Sequence, residues 1–112
     1  MNELELICFE IISNVGVARS SYINAIDEAG KGNIDKANQN IKEGTESFLL
    51  GHHAHAKLIQ KEAAGEEVKV SLLLLHAEDQ LMSAESFKIV AMKFIAVYQE
   101  LSEIKNGMLP AK

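Results

Sequence analysis

At 112 residues the chain is long enough for one domain and too short for two. Its net charge is −5 and it has no Lys/Arg cluster, so it lacks the basic surface that tracks a phosphate backbone, and nucleic acid is not an expected partner. No apolar run reads as long enough to span a bilayer, the acidic start Met1-Asn2-Glu3-Leu4-Glu5 is unlike a signal peptide, and the single Cys8 cannot form an internal disulfide; together these predict a cytoplasmic protein with Cys8 as a small core side chain.

Proline is absent before Pro110 and no stretch alternates with period two, so the expected fold class is all-α. The first helix is predicted over 4–29. Leu4, Ile7, Ile11, Val15, Ala18, Tyr22, Ala25 and Ala29 recur in steps of three and four and share one face. Gly30-Lys31-Gly32 ends it, because glycine accepts the left-handed conformation of a helix C-cap. Asn33 is the expected cap of a second helix over 34–64, with Asp35 favourable in its first turn. The second stripe reads Ile34, Ala37, Ile41, Gly44, Phe48, His52, His55 and Ile59. Gly44 and Gly51 each weaken a helix by roughly 1 kcal/mol relative to alanine, which suggests that another backbone approaches closely.

Gly65-Glu66-Glu67 makes the second turn. The third helix is predicted over 70–105, with a stripe of Leu73, Ala77, Leu81, Ala84, Phe87, Ala91, Phe94, Tyr98 and Leu101, followed by a frayed tail over 106–112. Two short turns between long helices imply an antiparallel up-down-up three-helix bundle. Leu72 to Leu75 are consecutive, and successive helical residues turn by about 100°, so they cover every side of the helix. Two partner helices in one chain cannot surround that turn, which points to burial by other subunits.

His76 follows the leucine run. Asp79 and Gln80 are three and four residues on, and Ser83 two turns on, so all share its side of the helix. A neutral imidazole at the edge of an apolar patch is a good nucleophile toward phosphorus. By spacing alone the leading reading of His76 is a partly buried histidine bonded to a neighbouring side chain. His52-His53-Ala54-His55 invites a metal reading, since His52 and His55 are three apart. However, no glutamate stands three residues before any histidine and His-Glu-x-x-His is absent, so histidines lining an interior polar pocket are the other reading. No phosphate-binding glycine loop is present.

The segment Lys69-Val70-Ser71-Leu72-Leu73-Leu74-Leu75-His76-Ala77-Glu78-Asp79-Gln80-Leu81-Met82 resembles the active segment of enzyme IIA proteins of the lactose/cellobiose (chitobiose) class, from the bacterial sugar phosphotransferase system. The family pattern there is close to Val-Ser, an apolar run, then His-(Gly/Ala)-Gln-Asp-His-Leu-Met. Gly16-Val17-Ala18-Arg19-Ser20, Gly32-Asn33-Ile34-Asp35-Lys36-Ala37, His52 and Glu62-Ala63-Ala64-Gly65-Glu66 continue the likeness in order along nearly the whole chain. The resemblance implies a homotrimer in which His76 accepts a phosphoryl group from the phosphocarrier protein HPr. It implies onward transfer to a cysteine of a IIB component, which phosphorylates a β-linked disaccharide (cellobiose, lactose or chitobiose type) entering through a membrane IIC component. It further implies that Asp79 of three subunits gathers at the trimer axis around a divalent cation, Mg2+ being the expected one.

Two departures stand out. The family's second histidine, four after the active one, is Gln80, and a glutamine usual in the second helix is His55, so the expectation is that His52, His55 and Gln80 form the phosphoryl pocket around His76. Glu78 replaces the family's glutamine and places a negative charge near the site. Two rival readings differ in class. A histidine phosphotransfer domain usually carries His-x-x-Lys-Gly, whereas Ala77-Glu78-Asp79-Gln80 follows His76; a regulatory helical module that has lost transfer is suggested by Gln80 and Glu78.

Overall fold

The computed structural model describes residues 1–107 and contains three α-helices: α1 (Glu3–Gly30), α2 (Ile34–Ala63) and α3 (Leu72–Gly107). They form the predicted antiparallel up-down-up bundle, about 70 Å long and 20–22 Å across. α1 is the hub. It packs along both other helices, while α2 and α3 meet each other more sparsely.

The α1 stripe is the core. Ile7, Cys8, Ile11, Val15, Ala18, Tyr22, Ala25 and Ala29 are all buried, with Leu4 half-buried at the open end. By length and mean hydropathy, 1.2 over its most apolar 18 residues, α1 passes as a membrane-crossing helix, which corrects the reading from apolar runs. Its most apolar side is the one turned toward α2 and α3. Opposite it lie small side chains, Ala37, Ala54, Ala77, Ala84 and Ala91, which let the helices approach closely.

Both turns close with the same geometry. The amide of Asn33 donates to the carbonyl of Glu28 and that of Gly32 to Ala29; the amide of Glu66 donates to Lys61 and that of Gly65 to Glu62. Gly32 and Gly65 sit at φ +86° and +85°, the left-handed position this motif requires. The expected Asn33 cap is not formed. Its side-chain amide donates back to Glu28 (2.9 Å), so α2 begins without a side-chain cap. That bond, first, and Lys36 and Lys31 after it hold the Glu28 carboxyl below its usual range.

α3 begins at Leu72, two residues later than predicted, because Ser71 caps it: the Leu74 amide donates to Ser71 Oγ at 3.1 Å. The helix also runs through Asn106 and Gly107, where a tail was predicted. The rest of that tail, 108–112, lies outside the described residues.

Candidate functional site

His76 lies in the second turn of α3, with its side chain exposed. On a helix turning about 100° per residue, Leu72, Asp79, Gln80 and Ser83 fall within about 60° of it. Leu72 is 84% exposed and Leu75 55%, whereas Leu73 is half-buried and Leu74 buried. The subunit's own helices therefore cover half of the leucine turn and leave the half beside His76 bare. The bare side continues down α3 through Met82, Ile89, Val90, Val97, Leu101 and Ile104, all exposed. Asp79 interrupts this stripe between Leu75 and Met82 and is itself exposed. A shallow groove of about 280 Å³ lined by Ser83, Ser86, Phe87 and Val90 lies along the same side.

Of the α2 histidines, His52 and His55 have partners other than His76. His52 and His53 are exposed, and the ring of His52 stacks on Phe48, centroids 6.2 Å apart. His55 is half-buried and bonded through Nε2 to Oε1 of Glu78 at 2.5 Å. A carboxylate only accepts, so His55 donates. Gln80 is half-buried, and among the described residues neither it nor His76 nor Asp79 makes a side-chain hydrogen bond. Among the described residues no hydrogen bond links His52, His55 or Gln80 to His76 within the subunit. The reason is the phase of α2. After Phe48 the buried face runs through Gly51, Ala54 and Leu58, one residue out of step with His52, His55 and Ile59, and Ile59 is 55% exposed.

Glu78 was read from sequence only as an added charge. It lies two residues after His76 and so about 160° round the helix, facing α2. The signal that identifies its partner was present, since His55 and Glu78 both depart from the pattern the chain resembles. Arg19 also acquires a place. Its guanidinium sits over the ring of Phe87, 5.2 Å from the centroid, and its Nε is buried without a hydrogen-bond partner.

Metal ligands do not cluster within the subunit. Among the described residues no three His, Cys, Asp or Glu side chains come close enough to share an ion. Asp79 is exposed on the apolar stripe and belongs to no such group.

Residues 6–99 match the family described as the lactose/cellobiose-specific IIA subunit of the PTS system. The chain belongs to this family. It is 38% identical over 107 residues to the lichenan-specific phosphotransferase enzyme IIA component of Bacillus subtilis, covering 96% of this chain and 97% of that one. It is 32% identical over 99 residues to the lactose-specific EIIA component of Staphylococcus epidermidis, covering 88% and 95%. The crystal structure of the cellobiose-specific enzyme IIA from Bacillus anthracis superposes with a TM-score of 0.90 at 38% identity, over 92% of this chain and 94% of that one. This IIA subunit is thus a sugar phosphotransferase system component, and the histidine phosphotransfer domain of signalling relays is set aside.

Proposed function

We propose that this IIA subunit is a cytoplasmic phosphohistidine carrier, taking a phosphoryl group from phospho-HPr on His76 and passing it to a cysteine of a IIB component. The IIB protein then phosphorylates a β-linked disaccharide of the cellobiose, lactose or chitobiose type as it enters through IIC. The observation that carries this reading is the exposed imidazole of His76 at the edge of a bare apolar patch, in a member of this family. One ring nitrogen attacks phosphorus in line. The bond from phosphorus to the HPr leaving group breaks, its electron pair going to that group, while the other ring nitrogen of His76 keeps its proton in a hydrogen bond. The start of α3, with its partly positive N-terminal end, favours the negative charge that arrives.

The bare stripe on α3 supports a homotrimer, with three copies of α3 meeting along Leu72, Leu75, Met82 and Ile89. Asp79 lies within that stripe. Three such carboxylates near an axis repel one another, and a divalent cation such as Mg2+ bound by their oxygens would relieve the repulsion and hold the subunits together.

The test is labelling by phospho-HPr, with mapping of the modified residue. His76→Ala is expected to abolish labelling while leaving helicity and assembly unchanged. Undiminished labelling of that variant would refute the assignment. A wild-type chain that HPr never labels would favour the regulatory module instead.

A further inference from the structure

The His55–Glu78 bond is the one side-chain hydrogen bond between α2 and α3 among the described residues. It joins the pair of helices that pack most sparsely. One turn before His55, Gly51 is seated under Val15 of α1, so at that position α2 offers α3 no side chain that would resist its rotation. Both partners are partly withdrawn from water, with side chains 16% and 38% exposed, so the contact is less screened than a surface pair.

We propose that His55 and Glu78 form a positioning couple for the phosphoacceptor, fixing the rotation of α3 and so the place of the His76 imidazole without touching the phosphoryl group. The inference rests on the carrier reading of His76. Glu78 is two residues from His76 on nearly the opposite side of the helix, so the bond grips α3 from behind the reactive ring. Turning α3 by about 20° carries a side chain at a radius of about 5–6 Å through about 2 Å. A displacement of about 1 Å at a reacting group can cost up to about a hundredfold in rate. The same bond keeps the Glu78 carboxylate engaged on the α2 side, away from the side on which a phosphoryl donor approaches.

The test compares wild type with His55→Ala, Glu78→Ala, the double variant and His55→Gln. Each is phosphorylated by phospho-HPr and, separately, by phosphoramidate, a small donor that needs no docking surface. In the phosphoramidate reaction its P–N bond breaks, an N–P bond forms on His76 and ammonia leaves; phosphorus NMR follows the product. Each alanine variant is expected to slow labelling about five- to tenfold with either donor, the double variant being no slower than a single one. His55→Gln, whose amide still donates to Glu78, is expected to recover most of the rate. The nitrogen NMR signals of the His76 ring should shift and broaden in the alanine variants while helicity stays constant, a change that a purely structural bond would not produce. Single effects that multiply in the double variant, or alanine variants that label at the wild-type rate, overturn the couple. If phospho-HPr fails to label wild type but the phosphoramidate pattern holds, the carrier reading falls and the couple stands. If HPr labels wild type and the pattern is absent, the couple falls alone.

Discussion

A carbon added at Gly44 would stand 2.7 Å from Cε1 of Tyr22 and 3.0 Å from Cβ of Ser21; one at Gly51 would stand 2.7 Å from Cγ1 of Val15. The close neighbours are thus mainly α1 side chains rather than a backbone, the nearest backbone atom being Ile11 O at 3.5 Å from Gly51. The Tyr22 side chain is fully buried and its hydroxyl donates to Thr45 Oγ1 at 3.3 Å, since the Thr45 hydroxyl gives its own proton to the Ile41 carbonyl, so the ring has nowhere to retreat. Overpacking of this kind costs about 1–3 kcal/mol, and the gain in helix propensity returns at most about 1 kcal/mol. Gly44→Ala is therefore expected to lower stability by up to about 2 kcal/mol, read as a lower midpoint in urea unfolding at unchanged slope. These two contacts also explain which site residues could be read in advance. His76 stood out because an apolar run led into it and a family-like segment surrounded it. The roles of His52 and His55 did not, because two stripes one residue apart fit α2 equally well by spacing. The choice between them is made by Val15 seating over Gly51, a contact between residues 36 positions apart. Only once α2 is turned that way does Glu78 become the partner of His55.

Helix ends were legible where a glycine decided them and less so where a hydroxyl did. Gly32 and Gly65 close both turns with the same pair of amide-to-carbonyl bonds, and the expected breaks fall there. The start of α3 was placed two residues early because Val70 continues the apolar pattern, yet Ser71 takes the cap. Removing that hydroxyl leaves the Leu74 amide without its partner at the turn leading into His76. Ser71→Ala is expected to cost about 0.5–2 kcal/mol, seen as a lower Tm, with the loss recovered by Ser71→Thr or Ser71→Asp. At α2 the equivalent prediction does not apply, since Asn33 gives its side chain to Glu28 rather than to the helix it precedes.

For the molecule as a whole, α3 is apolar on two opposite sides, one buried against α1 and one bare. The sequence showed this at Leu72–Leu75, where four consecutive leucines exceed what two neighbours can cover; the bare half, Leu72 and Leu75, is what remains exposed in the subunit. If the bare side is the trimer seam, a charge in its middle must open it. Met82→Glu is expected to convert the trimer to monomer in sedimentation while helicity persists, and Asp79→Asn to remove any strengthening of the trimer by Mg2+. A Met82→Glu chain that sediments like wild type would place the seam elsewhere. In an isolated subunit α3 is also the helix held least by its own chain, since α1 and α2 grip each other along most of their length. Local opening begins where contacts are fewest. The His76 imidazole thus rides on the helix of the bundle most ready to come loose, and in the proposed trimer neighbouring copies would be what clamps it. Dilution would then erode turnover per subunit before any helix melts, making the working concentration of the protein part of its catalytic competence.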